Sequence, residues 1–216
     1  YVVCGAGETG RHMVRELIET QRDFVVIEGS QDRIDDLYEE LDKEFPAIAG
    51  DATEDEALAA AAVDRAAGLI ACVSSDKDNL MVTISARMMN ADLRIVARCI
   101  DEKVAAKLKT AGADAIVSPN MIGGMRMVSE LIRPTVVSFL DVMLRDKQRR
   151  LRVEEVVIQP GSRLVGKSVA QVHDETDDDM LVLALYEGDG TTWTYNPKPH
   201  TTLEAGMTLV FLSGPD

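Results

Sequence analysis

The stretch that decides the fold is Cys4-Gly5-Ala6-Gly7-Glu8-Thr9-Gly10, close to the start of the chain. Its spacing is Gly5-x-Gly7-x-x-Gly10, and it stands between an apolar run (Tyr1–Cys4) and a segment with apolar residues at helical spacing (Thr9–Glu19). In that position the first glycine permits a tight turn, the second lets the backbone approach a pyrophosphate, and the third lets the helix pack on the sheet. The stretch therefore predicts the nucleotide-binding turn of a Rossmann-type domain.

Strand and helix signals alternate from this turn to residue 118. Further apolar runs typical of buried parallel strands lie at Phe24–Ile27, Pro46–Ala49, Leu69–Val73, Ile95–Cys99 and Ala115–Val117. Strands that are separated by helices pair in parallel, so this part predicts an α/β fold with a doubly wound parallel sheet. Thr53 and Glu56 have the spacing of a capping box, which predicts the start of the helix after the third strand.

The pattern changes at Pro119. Two helical segments, Met121–Ile132 and Thr135–Leu144, follow one another without a strand between them, and they are rich in methionine. They form either a helical hairpin on the sheet or an arm that packs on another subunit. The surplus of apolar residues favours the arm.

Short strand signals and Gly-containing turns dominate from Val153 onward, which is typical of a small α+β lobe. We therefore divide the chain into a Rossmann-type lobe (1–118), a helical crossover and linker that serves dimerisation (119–147), and a C-terminal lobe (148–216).

Composition limits the partners. The net charge of −14 argues against nucleic acid and against an anionic membrane surface. No apolar run approaches the ~20 residues that cross a bilayer, so we expect this part of the protein to stay in water. The three cysteines lie in apolar runs and read as small buried side chains in a reducing cytoplasm. The chain begins at Tyr1, a few residues before the glycine turn, so we expect more chain upstream.

Charged residues at the strand ends extend the candidate site. Glu28 follows the second strand, 18 residues after Gly10, where an acid holds a ribose diol and disfavours a 2′-phosphate. NAD is therefore preferred over NADP. Asp51, after the third strand, either caps the next helix or contacts the adenine side of a ligand. Arg11 and Arg98 either pair with phosphate charge or form surface ion pairs.

Two further clusters have more than one interpretation. Ser74, Ser75, Asp76, Asp78 and Asn79 follow the fourth strand at the carboxyl edge, either as a helix cap or as ligand contacts. The acidic run Asp174–Asp179 is a solvated turn or a calcium site, although its spacing matches no defined loop.

The sequence carries no recognisable catalytic constellation. The histidines (His12, His173 and His200) fall in unrelated places, and no Tyr-x-x-x-Lys pair offers a proton donor for hydride transfer. Binding without chemistry is therefore the better interpretation, and we predict that the protein is not an enzyme.

The sequence resembles the RCK domain family (regulator of potassium conductance, also called the Trk/Ktr type) over essentially its whole length. The motifs that carry the resemblance are Val3–Gly10, Gly50-Asp51-Ala52-Thr53, Ala111-Gly112-Ala113-Asp114 before Val117-Ser118-Pro119, Gly161-Ser162 with Leu164 and Gly166-Lys167-Ser168, and Leu203-x-x-Gly206-x-x-Leu209. Together they are specific, whereas each alone is weak.

The resemblance implies a Rossmann lobe, a helical crossover exchanged with a partner subunit, and dimers that assemble into an octameric ring. This ring gates a potassium pore or transporter, and the family's ligands are NAD(H), ADP, ATP and calcium. With the residues singled out above, the expected nucleotide contacts are Gly5, Ala6, Gly7, Glu8, Thr9, Gly10, Arg11, Glu28, Asp51, Ala52, Ser74, Ser75 and Arg98.

The sequence departs from the family pattern in two places, one of which concerns calcium and the other ATP. Some calcium-gated members carry glutamates near the end of the fifth strand, where this chain has Arg98, Cys99 and Ile100, and some ATP-binding members carry an acid where this chain has Asn120. Because of the first departure, we assign no residues to a calcium site.

Three functions stay open at this point. The first is the cytoplasmic, nucleotide-binding domain of a ligand-gated potassium channel in the cell membrane, with its pore on the same chain. This is the one we favour, because Cys4 before Gly5 and the abrupt start resemble channel-attached members. The second is a freestanding regulatory subunit of a Trk or Ktr transporter. The third is an NAD-dependent oxidoreductase, which the glycine spacing alone would support.

Overall fold

The computed structural model describes residues 1–145, 152–175, 180–188 and 192–213. The chain divides into two compact units, Tyr1–Met127 and Val128–Asp216, which are taken in turn below. Among the described residues, no helix is long and apolar enough to cross a bilayer.

The first unit contains a six-stranded sheet with helices between successive strands. The strands are β1 (Val2–Cys4), β2 (Val25–Glu28), β3 (Ala47–Ala49), β4 (Gly68–Ala71), β5 (Arg94–Arg98) and β6 (Ala115–Val117). The helices are α1 (Glu8–Glu19), α2 (Gln31–Leu41), α3 (Asp55–Ala60), α4 (Asp76–Met89) and α5 (Glu102–Thr110). All strand pairs are parallel, in the order β3-β2-β1-β4-β5-β6. The predicted Rossmann-type doubly wound sheet is confirmed.

The two faces of this sheet are buried by different helices. Successive strand residues point to opposite faces, so Val3 packs in a cluster with Val14 of α1 and Leu37 of α2. Its neighbours Val2 and Cys4 belong to a second cluster, which also contains residues of α3, α4 and α5. This burial on both faces explains why the strands read as continuous apolar runs.

The strand order creates a crevice beside β1. The chain leaves β1 towards β2 and β3, and then returns to the other side of β1 as β4. Ligands of doubly wound sheets bind at such a reversal, outside the carboxyl ends of the strands. The glycine turn after β1 and the segment after β4 meet there, since the Cys72 amide donates to the Cys4 carbonyl oxygen at 2.9 Å.

The predicted capping box at Thr53 is wrong. Helix α3 begins at Asp55 with Glu54 at its N-cap, and no side chain caps it. Thr53 instead donates its amide and its hydroxyl to the Asp51 carboxylate at 2.9 and 2.8 Å. Thr53 binds the Asp51 carboxylate and does not cap the helix, because an Asp side chain readily accepts the backbone amide of the residue two positions later and so closes a turn.

The second unit holds a small antiparallel sheet. Its elements are α6 (Pro119–Ile132, which crosses the division between the units), α7 (Pro134–Arg145), β7 (Arg152–Val157), α8 (Val169–Glu175), β8 (Met180–Tyr186), β9 (Trp193–Tyr195) and β10 (Thr208–Ser213). The sheet order is β7-β10-β8-β9. Helix α8 supplies Val172 to a core with Leu185, Leu203 and Leu209. The predicted α+β lobe is confirmed, whereas the linker residues 146–151 lie outside the described residues.

Helices α6 and α7 carry an unusual number of exposed apolar side chains. None of the residues of α6 is buried. We name this surface the apolar arm, and its members are Met121, Ile122, Met127, Val128, Leu131, Ile132, Val136, Phe139 and Leu140, each between 43% and 84% exposed. Exposed apolar surface of this extent is typical of sites that bind another protein. The predicted packing on a partner subunit stays a prediction.

The glycine turn yields a matched pair of variants. A Cβ at Gly10 would lie inside van der Waals contact of the Gly5 carbonyl, whereas a Cβ at Gly7 would meet nothing within 4 Å. We expect Gly10→Ala to lower the free energy of unfolding by about 2–3 kcal/mol, because helix α1 must move away from the turn. Gly7→Ala should cost less, about 0.5–1 kcal/mol, because the added methyl meets no atom and only the preference for glycine over alanine at the N-cap is lost. Urea unfolding followed by circular dichroism measures both values, and equal stability of the two variants would contradict this packing.

Candidate functional site

The glycine turn is held by backbone contacts that require its residue types. Gly5 has a φ of 100° and donates its amide to the Ile27 carbonyl at 2.8 Å. A Cβ at Gly5 would lie 2.6 Å from the Cys72 carbonyl oxygen, so a side chain is excluded by conformation and by space. The turn is thereby fixed between the ends of β2 and β4.

Gly7 differs from Gly5 and Gly10 because no atom lies within 4 Å of a Cβ built on it, so close packing does not require a glycine there. It has a φ of −68° and caps α1 with no side-chain hydrogen bond. Since a Cβ there would project into open space, the glycine leaves room for something outside the chain. The first amides of α1 point into this space and form an anion-binding end of the helix.

Glu28 is a buried carboxylate at the end of β2. It is 6% exposed, and its Oε2 accepts the Ala6 amide at 2.7 Å. Its Oε1 accepts the Ser30 amide at 3.2 Å and lies 3.4 Å from the Arg33 guanidinium. Such charge-assisted bonds offset the loss of hydration. The acid therefore holds the turn and also faces the crevice.

Arg98 and Asn79 organise the segment after β4. Arg98 donates Nη2 to the carbonyls of Val73 and Ser74 at 2.8 and 3.2 Å, and its buried Nε has no partner in the structure. Asn79, fully buried, accepts the Val73 amide at 2.9 Å and donates to the Arg98 carbonyl at 3.2 Å. The Nε of Arg11 is likewise buried and without a hydrogen-bond partner among the described residues. A buried donor without an acceptor calls for a partner from outside the chain, such as a water molecule or a ligand.

These groups surround one cavity of about 810 Å³ at the carboxyl edge of the sheet. Ten predicted residues line it: Gly5, Ala6, Gly7, Glu8, Arg11, Glu28, Asp51, Ala52, Ser74 and Arg98. The volume is within the range of small-molecule sites, about 300–1,000 Å³. The predicted residues therefore come together, while their contacts with a nucleotide stay predictions.

Three predicted residues do not line the cavity. Gly10 acts inside the protein, against Gly5. Ser75 caps α4, since its hydroxyl oxygen accepts the Asp78 amide at 3.1 Å. Thr9 also lies outside the lining, although its side chain hydrogen-bonds Cys72. These roles are consistent with a supporting function.

The cavity also contains residues that the sequence reasoning passed over. These are Ile27, Gly29, Arg33, Asp36, Cys72 and Val73. The lining also includes Asp78, for which ligand contact was one of two interpretations, and Gly50 and Thr53, which belong to a motif of the family resemblance. Arg33 had one usable signal. A basic residue in the first turn of a helix opposes the helix dipole, so it calls for another reason to be there.

The ionisation of the site follows from its hydrogen bonds. The Thr53 amide and hydroxyl hold the pKa of Asp51 below its usual value, so this carboxylate is charged at neutral pH. Burial raises the pKa of the Cys4 thiol to about 12. It also raises the pKa of Cys72 and of Cys99, and Arg98 opposes the shift only at Cys72. The thiols are therefore protonated and unreactive.

The calcium expectation receives no support from geometry. Within the described ranges, no three His, Cys, Asp or Glu side chains are placed to hold a metal ion. Residues 176–179 of the acidic run Asp174–Asp179 lie outside those ranges.

The buried Glu28 carboxylate predicts a measurable contribution to stability. In Glu28→Gln, the amide group can accept from Ala6 or from Ser30 but not from both, and the Arg33 pair is lost. We expect the free energy of unfolding to fall by about 1–3 kcal/mol. Exposed Glu39→Gln on α2 is the control and should change it by less than about 0.5 kcal/mol. Urea unfolding at pH 7 measures the free energy of unfolding of both variants. Equal free energies for Glu28→Gln and Glu39→Gln would show that the Ala6–Glu28 hydrogen bond does not stabilise the protein.

Two curated relatives show the range of proteins that this chain is similar to. It is 31% identical over 95% of its length to Probable potassium channel protein 2 of Methanocaldococcus jannaschii, and it covers 61% of that protein. It is 25% identical over 97% of its length to the Trk system potassium uptake protein TrkA homolog of Pyrococcus horikoshii, and it covers 86% of that protein. The chain thus spans about three-fifths of the length of its potassium channel relatives.

Solved structures of GsuK have the same fold. The GsuK RCK domain is 25% identical with a TM-score of 0.52, over 99% of this chain and 43% of that one. GsuK bound to ADP is 26% identical with a TM-score of 0.51, over 60% of this chain and 33% of that one.

Family matches cover both units. Residues 1–119 match the TrkA-N domain, and residues 153–216 match the TrkA-C domain. These matches agree with the parallel sheet, the glycine turn and the small antiparallel lobe. The chain belongs to the TrkA-N/TrkA-C family, the RCK domains of potassium channels and Trk proteins.

Proposed function

We propose that this chain is a cytoplasmic regulatory domain that binds an adenine nucleotide or dinucleotide and thereby gates potassium flux through a channel pore. The observation that carries the proposal is the open cavity at Gly7, at the amino end of α1, where no atom lies within 4 Å of a Cβ built on the glycine. Arg11 and Arg98 also line this cavity, and the buried Nε of each has no hydrogen-bond partner among the described residues. The pore belongs to the same full-length protein, in the cell membrane. The comparison with a potassium channel protein of greater length supports this arrangement.

The geometry favours NAD(H) as the ligand. The glycine turn and α1 would hold the pyrophosphate, and the Glu28 carboxylate would accept the ribose hydroxyls. Asp51 and Ala52 would lie beside the adenine, and Ser74 beside the distal part of the ligand. ADP and ATP share the adenosine and the phosphates, and GsuK in complex with ADP supports an adenine nucleotide as the class.

The cavity is suited to binding rather than to chemistry. Its lining contains no His, Tyr or Lys that could pass a proton to a substrate at neutral pH, and its one thiol has a raised pKa. This supports a sensor over the third alternative, an NAD-dependent oxidoreductase.

Gating needs a mechanical consequence of binding. A ligand changes a conformational equilibrium only through its different affinities for the two states. The loop after β4 offers such a connection, since Arg98 and Asn79 tie the cavity to the start of α4. We propose that the nucleotide favours one inter-subunit arrangement of a ring, which then moves the pore.

A ring of subunits needs two different contact surfaces. Among the described residues, two exposed apolar surfaces lie on helices, and we assign the contacts to these. The first is the apolar arm, which we assign to the dimer contact. We keep the proposed division of the chain into a Rossmann-type lobe (1–118), a helical crossover and linker (119–147) and a C-terminal lobe (148–216). The second is a stripe on α4 formed by Met81, Ile84 and Met88, which are 50%, 38% and 83% exposed at spacings of three and four residues. With both surfaces occupied, dimers would assemble into an octameric ring.

The freestanding regulatory subunit of a Trk or Ktr transporter is the second candidate. The TrkA homolog of Pyrococcus horikoshii favours it, because this chain covers most of that protein. Potassium uptake assays with a co-expressed Trk membrane subunit distinguish the two. Uptake that depends on this chain in trans would support the subunit.

We expect potassium flux through the full-length protein in liposomes to change when NAD(H), or ADP as its closest substitute, is added. Gly7→Asp should abolish the response, because its carboxylate would lie where the pyrophosphate binds. Gly7→Ala, which adds only a methyl group, should weaken the response less. Flux that ignores every adenine nucleotide would refute the gating function.

Binding is measured separately by thermal unfolding. A ligand at 100 times its dissociation constant stabilises the native state by about 2.7 kcal/mol, which for a domain of this size raises the Tm by roughly 5–10 °C. The wild-type domain should show this shift and Gly7→Asp should not. If the ligand raises the Tm but does not change the potassium flux, the binding site is supported and the gating function is refuted.

The two apolar surfaces predict distinct assembly variants. Ile84→Glu on the α4 stripe and Leu131→Glu on the apolar arm each place a charge in one contact. Each variant should stop at a dimer, and the double variant should be monomeric, in light scattering after size exclusion. Lys43→Glu, an exposed change outside both surfaces, should assemble as wild type does. An unaltered assembly of both single variants would exclude these surfaces as contacts.

A further inference from the structure

The charge of the cavity is unusual for a site that receives phosphates. Its lining contains five acidic side chains and three arginines, namely Glu8, Glu28, Asp36, Asp51 and Asp78 against Arg11, Arg33 and Arg98. Phosphate binding normally brings basic groups together, because each added phosphate adds negative charge that must be matched. The surplus of acid therefore limits how much negative charge a ligand can bring.

Two of the three arginines already have carboxylate partners. Arg11 lies 2.9 Å from Glu40, which also pairs with Arg15 at 2.6 Å. Arg33 lies 3.4 Å from Glu28 on the side of the cavity that follows β2. Arg98, by contrast, is bound to carbonyl oxygens and has no carboxylate partner in the structure. Arg98 is therefore the arginine of the lining for which no carboxylate competes, although the Nε of Arg11 also has no hydrogen-bond partner among the described residues.

Glu8 brings a negative charge to the cavity, opposite in sign to Arg98. It is the first residue of α1, directly after Gly7, and it is exposed. Within the described ranges its carboxylate has no ion pair and no side-chain hydrogen bond. An acid in the first turn stabilises a helix, and that alone would be a sufficient reason for it. Here, however, it also lies on the helix end that would hold a ligand's phosphates.

The phosphates of a bound ligand would share this positive helix end with Glu8. Two phosphates are matched by the amides of the turn and by Arg98. A third phosphate would have only Arg11 and Arg33, which already pair with carboxylates, to match its charge. It would also come under the repulsion of the Glu8 carboxylate. Charges a few ångströms apart interact strongly in a partly enclosed site.

We propose that Glu8 is a specificity-determining residue that restricts the site to ligands with two phosphates, so that NAD(H) and ADP bind and ATP is rejected. The inference rests on the proposed nucleotide-binding function. It names the ligand class within that function, because it separates diphosphates from triphosphates.

Isothermal titration calorimetry on the whole chain tests this with NAD, ADP and ATP, in buffer with EDTA so that the phosphates keep their full charge. Wild type should bind ADP at least about tenfold more tightly than ATP. In Glu8→Gln that ratio should fall by about fivefold or more, chiefly through tighter ATP binding. Binding of NAD should tighten by a smaller factor than binding of ATP, because NAD brings two phosphates to the helix end and ATP brings three.

Glu102→Gln is the matched control. Glu102 is also an exposed acid in the first turn of a helix, α5, but it does not line the cavity. The control should leave the ratio of ADP to ATP affinity at the wild-type value. Raising the salt concentration should narrow the wild-type ratio, since the discrimination is electrostatic.

The outcomes separate this inference from the proposed function. If wild type binds ADP and ATP equally, or if Glu8→Gln keeps the full ratio, the role of Glu8 is overturned and the nucleotide site stands. If none of the three nucleotides binds to wild type or to Glu8→Gln, the proposed function itself fails. A folded Glu8→Gln, verified by its circular dichroism spectrum and Tm, is required for either conclusion.

Discussion

The hydrogen bond from the Ala6 amide to the buried Glu28 carboxylate is the interaction on which the site depends. A buried carboxylate without such partners would carry a large desolvation cost, of several kcal/mol. Here it is matched by two backbone amides and by Arg33. The bond joins the turn after β1 to the end of β2, which the Gly5–Ile27 backbone bond does as well. The part that would hold phosphates and the part that would hold a ribose are therefore one rigid edge.

The sequence predicted this edge well because its causes are local. Gly5 and Gly10 are required by a left-handed φ and by a close approach, both of which are set within a few residues of the turn. The position of Glu28 follows from the length of one strand–helix–strand unit. Burial of the sheet on both faces left continuous apolar runs, so the strands were visible as well.

The sequence could not predict which of several possible side-chain partners Arg11 and Thr53 would bind. Arg11 was a candidate for phosphate pairing, and the structure pairs it with Glu40 on the neighbouring helix. Thr53 had the spacing of a capping residue, yet the Asp51 carboxylate engages it first. In both cases alternative hydrogen-bond partners would bind with similar strength, and the partner that lies nearest in the folded chain forms the bond. The positions of Arg33 and Asp36 depend on the direction in which α2 leaves the sheet.

The protonated, buried state of all three thiols has a practical consequence for studies of motion. Maleimide and nitroxide reagents attack the thiolate, and Cys4, Cys72 and Cys99 are all buried with raised pKa values. A cysteine introduced at an exposed position outside both proposed contacts, such as Lys43, would then carry a fluorophore or spin label without prior removal of the native thiols. Distances between subunits could be followed in the otherwise unmodified chain.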